Sequence, residues 1–274
     1  METVISCMGA NFVAREVGYS LPGDWMVGDW GKGDHATNDY FRPLETYRVR
    51  LAALLQEIVQ MGFAAIDLWT AHLHPQWATP EHIAIAQVLL RQYQLTPVSY
   101  AGGFGSTVEE FARSCRVASA LGIPVLGGST PLLRHDRAAL VSLLQEYGLK
   151  FGLENHPAEK NAQDVLALIG DHDAEWVGVT VDTGWFGTHG TDVLQALQVL
   201  GPRLFHVHLK DVVAVGGHET CRYGRGVVPV AACVATLRQL GYNGAISVEH
   251  EAGDYDPTED LRASRQMLLA WLAP

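Results

Sequence analysis

The sequence contains the run Val177-Gly178-Val179-Thr180-Val181-Asp182, in which each valine is followed by a glycine or a polar residue. A period of two is typical of a β-strand, because successive side chains point to opposite faces. The valines share one face, and the glycine, threonine and aspartate share the other. Since valines pack well against covering helices, the pattern predicts that Asp182 points to the inside of the sheet.

The same kind of short apolar segment recurs along the whole chain. Eight strands are predicted: Val4–Met8, Ala64–Trp69, Pro97–Tyr100, Val125–Gly128, Phe151–Glu154, Val177–Asp182, Leu204–Leu209 and Ala245–Glu249. Segments with apolar residues at helical spacing lie between them. The 274 residues divided by eight give about 34 residues per unit, which is typical of a (β/α)8 barrel. A doubly wound sheet of five or six strands is the alternative.

We therefore predict an α/β protein in which residues 1–274 form one TIM-barrel domain. A long irregular loop, Asn11–Pro43, follows the first strand and contains Trp25 and Trp30. Such a loop lies on the face where barrel enzymes have their active sites, so it is either a lid or an ordered surface insertion. The run Gly31–Ala36 fits a relaxed dinucleotide fingerprint, but it follows a loop and no helix is expected to begin there.

Composition excludes several classes of protein. The chain has 19 Lys and Arg against 30 Asp and Glu, and its net charge of −11 disfavours nucleic-acid partners. Its four cysteines are scattered without metal or disulfide spacing, which favours a reducing compartment. No leader and no apolar run of about 18 residues is evident, so we expect a cytoplasmic protein without a membrane partner.

Alternation also orients the polar residues of the other three C-terminal strands. The side chains predicted to point inward are Glu154 and His156, His206 and His208, and Ser247 and Glu249. With Asp182, four consecutive strands therefore end in an inward Glu, Asp, His and Glu. Parallel strands in a barrel bring these ends to one face, so the four side chains are expected to meet.

Unpaired carboxylates inside a barrel are energetically unfavourable unless they are paired, protonated or bound to a cation. Three acids and one imidazole can share one divalent metal ion. Oxygen-rich ligation with one nitrogen suits Mn²⁺, Mg²⁺ or Co²⁺, and Zn²⁺ or Fe²⁺ is also compatible. A polar network without a metal is the alternative.

At this point the chain resembles a known family, the sugar-phosphate isomerase/epimerase superfamily of xylose isomerase-like barrels. The superfamily includes ketose 3-epimerases, hydroxypyruvate isomerase, inosose dehydratases and, more distantly, endonuclease IV. The matching runs are Gly152-Leu153-Glu154-Asn155-His156, Val181-Asp182-Thr183-Gly184, His206-Val207-His208-Leu209-Lys210-Asp211, Gly224-Arg225-Gly226-Val227-Val228 and Ile246-Ser247-Val248-Glu249. The resemblance covers about residues 150–251.

The resemblance implies metal ligation by Glu154, Asp182, His208 and Glu249. It also makes Glu154 and Glu249 the catalytic acid/base pair of a metal-dependent isomerase or epimerase. Its substrate would be a small sugar or hydroxy-ketone, and proton removal would occur next to the carbonyl. Relatives often form dimers or tetramers, so a homo-oligomer is expected by analogy.

The substrate contacts are less closely determined by the resemblance. Trp185 stands where many relatives have a histidine, and it can close the pocket over a sugar ring. Lys210 can bind a substrate oxygen or phosphate, or pair with Asp211 or another carboxylate. The substrate arginine of ketose 3-epimerases has no counterpart at the same interval, and Arg222 occurs later in the loop. We therefore predict substrate contacts from His156, Trp185, Lys210 and Arg222.

Two other functions remain alternatives. A dehydratase of the inosose or dehydroshikimate type would begin with the same proton abstraction and then eliminate water. A non-catalytic ligand-binding barrel would keep the fold and the ligands without turnover. A phosphodiesterase resembling endonuclease IV is disfavoured, because Trp185 replaces a histidine that its metal cluster needs and the negative net charge repels DNA.

Overall fold

The computed structural model describes residues 3–273 and contains a closed barrel of parallel strands. The strands are β1 (Ile5–Met8), β2 (Ala65–Trp69), β3 (Thr96–Gly103), β4 (Val125–Ser129), β5 (Lys150–Glu154), β6 (Val177–Asp182), β7 (Leu204–Leu209), β8 (Asp211–Val212), β9 (Thr220–Cys221) and β10 (Ile246–Val248). The barrel runs in the order β1-β10-β7-β6-β5-β4-β3-β2, while β8 and β9 form a separate antiparallel pair. The predicted (β/α)8 barrel is confirmed, and the doubly wound alternative is wrong. The predicted domain, residues 1–274, extends beyond the described residues at both ends.

Helices surround the barrel and connect its strands. The α-helices are α1 (Gly31–Phe41), α2 (Leu44–Gln60), α3 (Pro80–Gln92), α4 (Val108–Leu121), α5 (Leu132–His135), α6 (Arg137–Tyr147), α7 (Ala162–Ile169), α8 (Thr183–Thr188), α9 (Val193–Leu200), α10 (Val230–Gln239) and α11 (Thr258–Leu272). Four short 3₁₀ turns are Gly9–Phe12, Arg15–Val17, Thr70–His72 and Gly201–Arg203. The apolar faces of the helices and strands form one large buried cluster.

The predicted strand positions agree closely with the observed ones. β6 and β7 have their predicted bounds. β3 is longer than predicted, because Gly102 and Gly103 continue the ladder by pairing with Gly128 and Ser129 of β4. Glu249 lies directly after β10, at the carboxyl end of the barrel strands.

One prediction about the segment after β1 is wrong, because a helix does begin at Gly31. The run Gly31–Phe41 contains two glycines and few apolar residues, so propensity alone does not predict a helix. Packing supplies the missing stabilisation, since Thr37 and Phe41 are buried. Gly33 allows close approach, because a Cβ there would lie 2.4 Å from the carbonyl oxygen of Val13.

Two predicted absences can be compared with the structure. All four cysteines are buried and have free thiols, as their scattered spacing indicates. Among residues 3–273, no helix has the length and apolar character needed to span a bilayer.

Glycines in the barrel wall leave room for polar side chains inside it. A Cβ at Gly152 would lie 2.5 Å from Thr180 Oγ1 and 2.9 Å from the Thr180 backbone nitrogen. Since neither strand can move easily in a closed barrel, position 152 accepts no side chain without distortion. A Cβ at Gly103, which also lies in a strand, would have no heavy atom within 4 Å.

We predict that Gly152→Ala lowers the free energy of unfolding by about 1–3 kcal/mol through overpacking. Gly103→Ala, the matched control, should change it by no more than about 0.5 kcal/mol. Urea denaturation followed by circular dichroism measures both values. Equal stability of the two variants would show that the interior beside Thr180 is not closely packed.

Candidate active site

Four acidic or histidine side chains meet at the carboxyl end of the barrel. Glu154 ends β5, Asp182 ends β6, His208 lies in β7 and Glu249 follows β10. These strands are neighbours in the barrel. All four side chains are buried, and one potential ligand atom from each lies within 4.8 Å of the others. The predicted convergence is therefore confirmed.

His208 lies between carboxylates on both sides of its ring. Its Nδ1 is 2.6 Å from Glu154 Oε1 and 3.3 Å from Glu249 Oε2, while its Nε2 is 2.9 Å from Asp67 Oδ2. Burial favours a neutral ring, but the charges of Glu154 and Glu249 outweigh it and hold the pKa of His208 well above its usual value. Nδ1 therefore faces the acidic cluster, and Nε2 is anchored by Asp67.

Sequence reasoning missed Asp67, although its strand carries the same signal. Asp67 Oδ2 accepts hydrogen bonds from His206 Nε2 at 2.8 Å, His208 Nε2 at 2.9 Å and Ser247 Oγ at 3.0 Å. Burial opposes ionisation, yet the histidines lower the pKa of Asp67 below its usual range. In β2, Ile66 and Leu68 flank Asp67, so alternation would have placed its side chain inside. His206 is thus a partner of Asp67 and Ser247 within the barrel.

Lys210 contributes a buried ammonium to the same cluster. Its Nζ lies 2.9 Å from Asp182 Oδ2, 3.1 Å from Glu249 Oε1 and 2.9 Å from Glu251 Oε2. Burial disfavours the charge, but these carboxylates raise the pKa of Lys210 well above its usual value. The sequence allowed Lys210 to pair either with Asp211 or with another carboxylate, and the structure shows pairing with other carboxylates. Glu251, two residues after Glu249, was missed.

Asp211 instead orders the loop that follows β9. Its Oδ2 accepts hydrogen bonds from the backbone nitrogens of Gly224 and Gly226, at 2.9 and 3.0 Å, and its Oδ1 accepts one from Val228 at 3.0 Å. A Cβ at Gly226 would lie 2.3 Å from Asp211 Oδ1, so this position is restricted to glycine. The Gly224–Val228 run thus has a structural partner in β8.

The donor set fits a divalent cation. Asp182 Oδ1 accepts hydrogen bonds from the backbone nitrogens of Gly184 and Trp185, at 2.7 and 3.2 Å, at the start of α8. Among the described residues, Asp182 Oδ2 and Glu249 Oε2 are buried and accept no well-aligned hydrogen bond. Lys210 Nζ lies 2.9 Å from Asp182 Oδ2 and His208 Nδ1 lies 3.3 Å from Glu249 Oε2, so each oxygen has a cationic neighbour and retains a lone pair for a metal ion. Three carboxylates and one imidazole nitrogen are ligands that Mn²⁺, Mg²⁺, Co²⁺, Zn²⁺ and Fe²⁺ all accept.

A cavity of about 290 Å³ opens above this cluster. Its floor carries Glu154, Asp182, Lys210, Glu249 and Glu251, and its walls are largely aromatic. The wall tryptophans are Trp25, Trp30, Trp69 and Trp185. Trp25 stacks on Trp30 with ring centroids 4.9 Å apart, and it meets Trp185 edge-on at 6.1 Å. The segment after β1 therefore supplies part of the cavity wall beside the acidic floor.

The predicted substrate residues separate into two groups. His156, Trp185 and Lys210 line the cavity, and the side chain of His156 is 41% exposed. Trp185 is buried and stacks on His218 with ring centroids 3.5 Å apart. Arg222 does not line the cavity, because its loop carries it towards α11, where Nη1 lies 3.8 Å from Asp260 Oδ1. The geometry therefore gives no support to a substrate contact from Arg222.

Two curated proteins, both uncharacterized, match parts of this chain. The uncharacterized protein MJ1311 of Methanocaldococcus jannaschii is 29% identical over 119 residues, which cover 41% of this chain and 40% of that protein. The uncharacterized protein YihM of Escherichia coli strain K12 is 26% identical over 135 residues, covering 46% and 41%. The matches thus span about two fifths of each curated relative.

Solved structures share the fold over more of the chain. A D-tagatose 3-epimerase-like protein has 21% identity and a TM-score of 0.67, covering 79% of this chain and 91% of its own. The IOLI protein, whose structure contains a bound zinc atom, has 14% identity and a TM-score of 0.70, covering 99% and 98%. The probable 3-DHS dehydratase AsbF of Bacillus anthracis has 17% identity and a TM-score of 0.63, covering 79% and 92%.

These structural similarities, all at low identity, support the barrel fold alone. The sequence comparison goes further, because residues 55–271 match the model of a family described as a xylose isomerase-like TIM barrel. That match covers most of the chain and includes every residue of the acidic cluster. The chain belongs to the xylose isomerase-like TIM barrel family.

Proposed function

We propose that this protein is a divalent-metal-dependent isomerase or epimerase that removes a proton next to the carbonyl of a small sugar or hydroxy-ketone. The observation that carries the proposal is the placement of Glu154 and Glu249. They come from different strands, approach His208 Nδ1 to 2.6 and 3.3 Å, and line one cavity. Two carboxyl groups on either side of one substrate site can serve as base and acid.

Glu154, Asp182, Glu249 and Nδ1 of His208 would hold the metal ion. When bound, a divalent ion polarises a carbonyl oxygen and stabilises the negative charge of an enolate. Asp67 keeps the His208 ring in place by accepting a hydrogen bond from its Nε2 at 2.9 Å. A carboxylate behind a ligating imidazole fixes its tautomer and orientation.

The two glutamates differ in how readily they hold a proton. Burial raises the pKa of Glu249 well above its usual value. Burial also acts on Glu154, but the nearby charge of His208 outweighs it and lowers the pKa of Glu154. Both carboxylates would also ligate the metal ion, whose charge lowers the pKa of each. The handedness of the substrate therefore decides which of the two glutamates is the base and which is the acid.

A dehydratase is the second candidate. Lys210 and Glu251 line the cavity beside Glu249, so further titratable groups lie next to the proposed acid/base pair. Elimination of water needs a proton donor for the leaving hydroxyl in addition to the base. The first step is the same as in an isomerase, so the product distinguishes the two reactions.

Proton NMR in D₂O tests the function directly. The purified protein is loaded with Mg²⁺ or Zn²⁺ and incubated with ketoses, hydroxypyruvate and inososes. Deuterium beside the carbonyl supports enolate chemistry, and a rearranged or dehydrated product assigns the reaction. Bound metal and bound ligand without any exchange would contradict the proposal and favour a non-catalytic binding barrel.

Glu249→Gln should leave the barrel folded, weaken metal binding and reduce deuterium exchange by at least about 10²-fold, because it removes a ligand and a proton-transfer group. Calorimetric metal titration and NMR exchange measure the two effects. Glu259→Gln is the matched control, since Glu259 is 82% exposed and pairs with Arg262 at the surface. Normal exchange by the Glu249 variant would show that Glu249 is not part of a catalytic acid/base pair.

Asp67→Asn should lower metal affinity about 10–100-fold, because a neutral amide accepts weaker hydrogen bonds from the histidines than a carboxylate does and fixes the orientation of His208 less firmly. The same calorimetric titration measures the affinity. Far-UV circular dichroism before and after metal addition checks that the barrel is intact. Unchanged affinity in a folded variant would show that Asp67 does not orient His208 for a metal.

A further inference from the structure

The cavity lining carries far more negative than positive charge. Four carboxylates of the floor, from Glu154, Asp182, Glu249 and Glu251, are joined by Asp34 of α1. Among the residues described, Lys210 is the only lysine or arginine in the lining. With all five carboxylates ionised, Lys210 and a bound divalent ion would supply three positive charges against five negative ones, so the lining would keep a net negative charge. A charged lining of one sign focuses the field in a narrow cleft and repels ligands of that sign.

Lys210 is not free to bind an anion. An ammonium has three N–H donors, and Nζ of Lys210 faces three carboxylates, from Asp182, Glu249 and Glu251, at 2.9–3.1 Å. A phosphate or carboxylate at Nζ would have to displace one of these groups and leave it buried without a partner. That exchange is unfavourable in a site only 2% exposed at the lysine.

The backbone donors at the floor are also occupied. Helix N-termini commonly bind phosphates through free N–H groups. At the start of α8, the N–H groups of Gly184 and Trp185 already donate to Asp182 Oδ1, at 2.7 and 3.2 Å. The first turn of α1 adds Asp34 to the cavity wall, which places a carboxylate where an anion would otherwise be favoured.

The walls suit an uncharged ring. Trp25, Trp30, Trp69 and Trp185 line the cavity beside an acidic floor. One face of Trp185 stacks on His218, and Trp25 and Trp30 stack on each other, so a ligand would meet the remaining faces and edges of these indoles. A sugar or cyclitol presents C–H groups on its faces and hydroxyl donors at its edge. The C–H faces can pack against the indoles, and the hydroxyls can donate to the carboxylates.

We infer that the cavity selects uncharged polyhydroxylated ketones, free ketoses or cyclic inososes, and excludes their phosphorylated and carboxylated counterparts. This inference rests on the proposed function for the identity of the reacting group, and it adds the charge class of the substrate. The charges and the aromatic walls of the cavity are the observations that support this inference.

Tryptophan fluorescence provides a binding assay, since four of the seven tryptophans line the cavity. The Mg²⁺-loaded protein is titrated with matched pairs of ligands: dihydroxyacetone with dihydroxyacetone phosphate, and D-fructose with its 1-phosphate and 6-phosphate. A free inosose and inorganic phosphate complete the set. The neutral member of a pair should bind at least about tenfold more tightly than its phosphate. Equal or tighter binding of a phosphorylated member would overturn the inference.

A pair of variants links the discrimination to the lining. Asp34→Asn removes a carboxylate of the cavity, and it should reduce the difference in affinity between neutral and phosphorylated ligands. Asp29→Asn makes the same change at an exposed residue outside the lining, and it should leave this difference in affinity unchanged. An equal response of both variants would assign the discrimination to overall charge and contradict the inference.

Deuterium exchange separates this inference from the proposed function. Tighter binding of neutral ligands without exchange would refute the isomerase proposal and leave the charge class intact. Tighter binding of phosphorylated sugars, together with deuterium exchange, would refute the inferred charge class and support the isomerase proposal.

Discussion

The contact of His208 with carboxylates on both sides of its ring is the interaction on which the site depends. Asp67 holds Nε2 at 2.9 Å, and Glu154 faces Nδ1 at 2.6 Å. Burial of this many acids in a barrel is unfavourable unless cations balance them. In the protein alone, the positive charges of His208 and Lys210 neutralise the acids. If a divalent ion binds to Nδ1 of a neutral His208, the ion would supply the positive charge instead of the imidazole.

The chemistry and the cavity walls come from different parts of the chain. Strands β5, β6, β7 and β10 carry the acidic cluster, and a closed barrel fixes their ends relative to one another. The segment between β1 and α2 supplies Trp25, Trp30 and Asp34. This division is common in barrel enzymes, in which rigid strand ends carry reactive groups and loops shape the pocket.

Strand periodicity was sufficient to predict the four convergent side chains, because alternation fixes which face each residue occupies. Asp67 carries the same signal in β2, but that strand is distant in sequence from the C-terminal strands. The position of Arg222 depends on the path of a loop, which periodicity does not describe. The helix at Gly31–Phe41 forms despite weak local propensity, because it packs against the 3₁₀ turns Arg15–Val17 and Thr70–His72 and against α2.

Anomalous diffraction from crystals of the protein soaked in Mn²⁺ tests the central claim most directly. We predict one strong peak, about 2.0–2.4 Å from oxygens of Glu154, Asp182 and Glu249 and from Nδ1 of His208. If the Mn²⁺ peak lay only at another place in the protein, or if no peak appeared in this cluster at saturating metal, the buried acids would form a polar network without a metal.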